Sequence, residues 1–591
     1  MSDSRMPATV KMVPAGVAAL VVASIVYALL AQVQFQFGSD ESFYIGAAKS
    51  MASGLGYRVA GRVQTQYPPG WSLFLMPVEW LTNGDYAWFA RYTAALLPVA
   101  LYASWALYSA RRERHAWWLL AALVVSPTVF EIATREVRSE IVFTALSMGF
   151  LAWTERTNSA PARGWVSARV LVGTLLLLGA VATRTIGAAL VVAVVMTGLH
   201  IAVTQRAQLK QYAQRMLVPV IVSALYMMSW SRWTKAHIVL TYPGEPTAYD
   251  RWFWMRDPHH PTAGEATVLQ VLQRIPGNVR IQAAEAASIL TNMGWIEPSW
   301  TSPLVVVSAV VLVVGLIEEW RRSIPLVSWY VIGYMGILAV WPFDEGTRYI
   351  MPLVPLIALL VVSGSRGLAK AFRARPHLTA RALAIIAAIE LAALANGLRS
   401  TGGVVGKQAI VALLFWAGCF VAAVLAEIRM TPAGVPGSRR VVNYSRAAYL
   451  AAFVVLGVIG IARIARFNVT RQLQMPAGPI YQVSDWLSAN APDSSVTMAR
   501  HFASLNFATH HKTVPYPLTL SEEVMRAAIR GQKPTFLVVV DSTGYEYYYP
   551  SEPARLALIE KALNASLKQR ARLKGAAIYE FQPATSTTTP P

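Results

Sequence analysis

MVPAGVAALVVASIVYALLAQVQFQFGSDE, residues 12–41, carries an apolar run straight into two adjacent acids. From Met12 to about Val33 the run is long enough to cross a bilayer as a helix. Arg5 and Lys11 before it give the look of a signal peptide. No small-residue cleavage site precedes Gln34, so the segment reads as a retained first transmembrane helix. Asp40 and Glu41 lie just past its end. Acids at a membrane surface are costly unless they are solvated or put to use.

The rest of the chain repeats the first half of that pattern. Of 591 residues 55% are hydrophobic and 14% charged, against roughly a quarter charged in a soluble domain. Apolar stretches near 12–33, 86–110, 116–132, 138–154, 167–183, 185–203, 214–235, 302–318, 325–341, 348–366, 380–398, 407–427 and 447–466 predict about thirteen spans. The net charge of +21 is distributed as topology requires. Every second loop is rich in cations: Arg111, Arg112 and Arg114; Arg156, Arg163 and Arg169; Arg206, Lys210 and Arg215; Arg321 and Arg322; Arg366 to Arg381; Arg429 to Arg446. Cationic loops stay in the cytoplasm, which places the N-terminus there and leaves no case for nucleic-acid binding. The single cysteine, Cys419, lies in an apolar run, so no intramolecular disulfide forms. The odd number of spans puts residues 34–85, 236–301 and everything after 466 outside.

The first external loop has chemistry beyond topology. FGSDESFYIGAAKSMASGLGY places Phe43, Ala47, Met51 and Leu55 on one side of an amphipathic helix. QTQYPPGWSLFLMPVEWL follows, with Pro68 and Pro69 suited to a helix start and an apolar run too short to cross, hence an interfacial helix. Farther on come ATREVRSEIVFTAL, LLGAVATRTIGAAL and GTRYIMPLVPLIALL, which hold Arg135, Arg138, Glu140, Arg184, Arg348, Tyr349 and Pro352 at predicted helix ends.

In this order the segments resemble the glycosyltransferase-C superfamily, and most nearly its protein O-mannosyltransferases and lipid A aminoarabinose transferases. The acidic pair after the first span, Tyr-Pro-Pro, the second acidic motif at Glu140, the small-x-x-Thr-Arg turn at Arg184 and the Arg-Tyr-x-x-Pro segment at Arg348 carry the likeness. The Trp-Trp-Asp-Tyr-Gly motif of oligosaccharyltransferases is absent from the sequence, which disfavours transfer of a whole oligosaccharide in that manner. The resemblance implies a polytopic α-helical membrane protein of the inner (plasma) membrane. It would transfer a sugar, with inversion, from a polyprenyl-phosphate donor to an extracytoplasmic acceptor: protein, lipid or envelope glycan. It assigns Asp40 and Glu41 as catalytic, Asp40 as general base and Glu41 orienting the acceptor or assisting a metal. Arg348, Arg138 and Arg184 become donor-phosphate ligands, and Glu140, Tyr67 and Tyr349 line the site, with Glu140 pairing to Arg138.

No cofactor is demanded by this chemistry. Some relatives place a divalent ion near the acidic pair, and His259 and His260 in RDPHHPTAGE are the available histidines. Tyr249, Trp252, Phe253 and Trp254 in the same loop read as interface residues ahead of a sugar platform. Residues 1–466 form the membrane domain, 467–583 a small extracytoplasmic α/β domain, and 584–591 a disordered tail. In the second domain helices are expected at 480–490, 521–530 and 553–567, with strands at 495–499, around PTFLVVVD and at 577–581. His501, His510 and His511 are expected on its surface. The rival reading is a transporter or lipid flippase, and a third is a scaffold in which Asp40 and Glu41 are dispensable. No internal repeat supports the transporter.

Overall fold

The computed structural model describes residues 9–374 and 454–582, apart from loop stretches of which the longest are 159–164, 293–302, 471–478 and 541–551. The expected spans at 380–398 and 407–427 lie outside the described residues. Of the one at 447–466, residues 457–466 are helical.

The first helix, α1 (Thr9–Leu29), ends where the acids approach. The segment after it then forms α2 (Glu41–Ala52), a two-stranded hairpin β1 (Arg58–Val59) and β2 (Arg62–Val63), and α3 (Gly70–Thr82). Next come α4 (Tyr86–Ala95) and α5 (Leu97–Ala110), together one apolar 25-residue span. α6 (Ala116–Val124) and α7 (Pro127–Arg135) are bent by 52°. Pro127 drives its predecessor out of the helical region, and Ser126 is extended at φ −78°, ψ 115°, where its hydroxyl caps α7. α8 (Glu140–Asn158), α9 (Ala168–Thr183), α10 (Ala188–Thr204), α11 (Arg206–His237), the short α12 (Tyr249–Trp254) and α13 (Val268–Thr291) follow. Then come α14 (Pro303–Trp320), α15 (Leu326–Val340), α16 (Thr347–Ile350) and α17 (Val354–Ala374). Among the described residues three helices are long and apolar enough to cross a membrane, and the bent pair adds a fourth.

α13 departs from expectation. Residues 236–301 read as an external loop, yet 24 of them form a helix. It opens with a capping box, Thr267 and Gln270 exchanging side chain-to-backbone hydrogen bonds.

The core is the apolar contact of α5 with α8, α9 with α11, α10 with α15 and α14 with α17, centred on buried Tyr108, Phe143, Phe150, Tyr330 and Tyr334. Far from Asp40, Arg111 on the α5–α6 connection pairs with Glu155 and Glu319, while Glu113 holds Arg322 and Arg366. These cations therefore tie helix ends together.

The C-terminal residues form a five-stranded sheet in the order β4 (Lys512–Val514), β3 (Val496–Ala499), β5 (Phe536–Val540), β7 (Ala576–Phe581), β6 (Leu567–Leu573). β4, β3 and β5 are parallel, and β7 and β6 antiparallel to their neighbours. Its helices are α18 (Pro479–Asn490), α19 (Phe502–Ala508), α20 (Glu522–Gln532) and α21 (Glu552–Leu563). His511 is not a surface group, and His501 is half-buried. His511 is buried with Nδ1 3.2 Å from the Ser495 hydroxyl. Burial, with Arg500 beside it, pushes His501 down to about 3. His510 lies outside the described residues.

α19 sits on α2. The Ser504 and Ser42 hydroxyls are 3.2 Å apart, Phe502 meets Phe43, and Phe507 lies between Phe35 and Tyr86 with Lys49 Nζ 4.4 Å from its ring centre. The sheet domain thus braces the helix that starts at Asp40.

A second brace acts at α3. A Cβ on Gly70 would fall 2.4 Å from the Ala182 carbonyl oxygen, so the Tyr-Pro-Pro-Gly turn rests directly on the backbone before Arg184. Gly70→Ala is expected to lower the thermal stability of the purified protein by at least the ~1–3 kcal/mol typical of overpacking. An unchanged melting profile would show that α3 can move away freely.

Candidate active site

Four charged side chains from distant parts of the chain meet at one end of the bundle. Asp40 stands at the N-cap of α2, its side chain 25% exposed. Glu140 opens α8 and is fully buried. Arg184 occupies the break between α9 and α10, at φ −146°, ψ 136°, where the extended backbone turns its side chain out of helical register. Arg348 lies on α16, two residues after Gly346, whose φ of +61° with ψ −147° suits only glycine.

Arg348 is the hub. Its Nη2 pairs with Asp40 and its Nε donates to Glu140 Oε1 at 2.5 Å. Arg184 Nη1 reaches the same Glu140 oxygen at 2.8 Å and the Ser139 hydroxyl at 3.0 Å. A buried carboxylate is tolerable only when paired in this way. Tyr67 donates its O–H to Asp40 Oδ1 at 2.7 Å and accepts from Gln66 at 2.9 Å. Burial alone would raise the Asp40 carboxyl; the Arg348 guanidinium beside it, helped by Tyr67, outweighs that and holds it below the ordinary carboxylate value. Burial and the Asp40 charge push the Tyr67 hydroxyl well up, so it stays a donor.

Of the residues singled out from sequence, Asp40, Tyr67, Glu140, Arg184 and Arg348 are brought together. Glu41 is not with them. It is 1% exposed, and its Oε2 accepts from the Tyr86 hydroxyl at 2.8 Å and the Val137 N–H at 2.9 Å. It therefore ties the start of α2 to α4 and to the segment leading into Glu140. Arg138 is held by Glu136, at 2.6 Å and 2.9 Å, and interacts with Glu140 through charge alone, while Glu140 bonds directly to Arg184 and Arg348. Tyr349 takes part through its carbonyl, which accepts from Tyr334 at 2.8 Å. Tyr249, expected at the interface, has its ring 5.9 Å from that of Tyr67. Tyr44 and Ser139, 3.4 Å apart beside Arg184, had no sequence signal beyond adjacency to the motifs.

The described part of the site holds its carboxylates with guanidiniums. Among the described residues no three His, Cys, Asp or Glu side chains converge, and two guanidiniums already occupy the positions where a cation would balance Asp40 and Glu140. His259 and His260 lie outside the described residues.

A carboxylate beside guanidinium donors can accept a proton, and such donors suit anionic oxygens. No family model and no curated protein matches the chain. Among solved structures it superposes on ArnT from Cupriavidus metallidurans bound to undecaprenyl phosphate, with a TM-score of 0.53 and 15% identity over 97% of this chain and 98% of that one. It also superposes on the oligosaccharyltransferase AglB from Archaeoglobus fulgidus, in complex with an inhibitory peptide and a dolichol-phosphate, with a TM-score of 0.53 and 13% identity over 98% of this chain and 75% of that one. The chain is a membrane protein with the glycosyltransferase-C fold.

Proposed function

We propose that this protein is an inverting glycosyltransferase that moves one sugar from a polyprenyl-phosphate carrier to an acceptor hydroxyl on the external face of the inner membrane. The reading places the N-terminus in the cytoplasm and the sheet domain outside. The observation that carries it is Arg348 bridging Asp40 and Glu140 at the end of the bundle where the external loops gather.

The entering lipid phosphate competes with Asp40 for the Arg348 fork, whose planar donors match phosphate oxygens. Glu140 keeps hold of Nε, so the guanidinium is already aimed when the phosphate arrives. Arg184, on the same carboxylate, adds positive charge behind it. Asp40, released from Arg348, takes the proton of the acceptor hydroxyl while that oxygen attacks the sugar's anomeric carbon. The carbon–phosphate oxygen bond breaks, its electron pair stays on the phosphate, and Arg348 stabilises the new charge. A single displacement inverts the anomeric centre. Glu41 acts through structure: it fixes the origin of α2, hence Asp40, against the backbone three residues before Glu140.

Binding of sugar-free undecaprenyl phosphate to nanodisc-embedded protein tests the phosphate assignment. Arg348→Ala is expected to weaken it by about 10- to 100-fold, the worth of a charge-assisted hydrogen bond of about 1.5–3 kcal/mol. Equal affinity of wild type and variant would remove Arg348 from the donor site.

A further inference from the structure

Beside the charged cluster lies an aromatic group that the proton- and phosphate-handling residues do not use. Tyr249 contacts Trp252 and Trp341, Trp252 contacts Phe343, and Phe343 returns to Trp341, with ring centres 4.9–6.1 Å apart. The ring of four joins the site through Tyr249, which meets Tyr67, the residue bonded to Asp40. All four side chains remain partly exposed.

The group is held from beneath. Arg274 on α13 donates to the Phe253 carbonyl at 2.9 Å, to Val340 at 3.2 Å and to Met255. Asn278, one turn later, donates to Ala339 at 3.0 Å and Trp341 at 2.7 Å. Two side chains therefore cap the C-terminal ends of both α12 and α15, the segments that carry Tyr249, Trp252 and Trp341. Orphan carbonyls at helix ends need such partners; here one helix supplies them to two elements and so fixes the aromatic rings relative to each other. Simple membrane-interface aromatics require no such construction.

The Trp252 indole N–H is the second clue. It is buried and has no hydrogen-bond acceptor among the described residues. Buried donors are costly when unmatched, and this one lies within an aromatic wall. The negative face of an aromatic ring attracts the electropositive C–H face of a sugar, while an adjacent N–H suits a sugar hydroxyl.

We propose that Tyr249, Trp252, Trp341 and Phe343 form a sugar subsite next to Asp40, with ring faces against the sugar's C–H face and Trp252 Nε1–H donating to one of its hydroxyls. The proposal rests on the glycosyltransferase reading. The sugar belongs to the donor or to a glycan acceptor, and the experiment separates these.

Full-length protein in nanodiscs would be titrated with sugar-free undecaprenyl phosphate and with a panel of undecaprenyl-phosphate hexoses and pentoses. For a donor sugar, Trp252→Phe and Tyr249→Ala are expected to weaken the preferred sugar lipid by about tenfold while leaving the sugar-free lipid within about twofold; Tyr249→Phe keeps wild-type affinity. For an acceptor sugar, donor affinity is unchanged and the acceptor KM rises by about tenfold instead. Equal loss for sugar-bearing and sugar-free lipids would reduce the rings to packing and overturn the subsite, as would no change in either donor affinity or acceptor KM. Saturation-transfer NMR with free methyl glycosides reads the same rings without any lipid. Binding lost in Tyr249→Ala there supports the subsite even if lipid-phosphate binding fails, and no contact in the wild type overturns it.

Discussion

Asp40→Asn is expected to lower sugar transfer by about 10²- to 10⁴-fold, the usual contribution of a positioned general base, while the protein remains folded. The substitution is nearly isosteric. Tyr67 can still donate to the amide oxygen, and Arg348 retains Glu140. The loss should therefore appear in kcat, with undecaprenyl-phosphate affinity equal to wild type or tighter, because the competitor for Arg348 has lost its charge. A folded Asp40→Asn variant with wild-type turnover would show that the base lies elsewhere.

The same ion pair makes a prediction about pH. Asp40 is held below the ordinary carboxylate value by Arg348 against the opposing effect of burial. Its pair contributes stability at pH above the ordinary value, and that contribution fades as pH falls through the lowered one. In kinetics the acidic limb of kcat/KM reports the free enzyme and that of kcat the complex. Once phosphate shares Arg348, burial is less fully opposed, so the acidic limb of kcat should lie at higher pH than that of kcat/KM. Coincident limbs would mean that Arg348 does not leave Asp40 during the cycle.

Glu140→Gln is expected to have the largest effect on the fold. The carboxylate is fully buried and one of its oxygens receives both Arg184 and Arg348. Removing one side of a buried ion pair costs about 3–5 kcal/mol, because the partner charge is left uncompensated. The expected result is loss of monodisperse protein or a clearly lowered melting transition. A second substitution separates electrostatics from packing: Glu140→Gln with Arg184→Gln should recover part of the stability, since one buried cation goes with its anion. Equal stability of Glu140→Gln and wild type would contradict the hub assigned to this carboxylate.

The sequence showed which segments matter more readily than which atoms meet. Periodicity and proline placement located α2 and α3, because an amphipathic stripe and a Pro-Pro start are local properties. Asp40 and Glu41 could not be told apart locally. Adjacent residues at a helix start project about 100° apart, so one faces Arg348 and the other Tyr86, and only the packing of α4 and α8 decides which. Arg138 and Arg184 were equivalent candidates until the bundle placed Arg184 on the Glu140 oxygen and left Arg138 with its near neighbour Glu136. α13 was hidden by its mixed composition and the internal Pro276; Thr267 and Gln270 at capping-box spacing were the available signal. The edge strands β4 and β6 were missed for a different reason. β4 has three residues, and β6, LKQRARL, is mostly polar and basic, as edge strands often are.

The proposed activity is transfer of a sugar from a lipid phosphate. Its most direct test is to incubate purified wild-type protein in nanodiscs with radiolabelled undecaprenyl-phosphate sugars and a membrane extract, with Asp40→Asn alongside. The expected result is label moved to an acceptor by the wild type, release of the carrier phosphate in equal amount, and neither with the folded variant. Vesicles in which the wild type carries the same lipids across the bilayer with the sugar–phosphate bond intact, and transfers no label to any acceptor, would contradict it and favour a flippase.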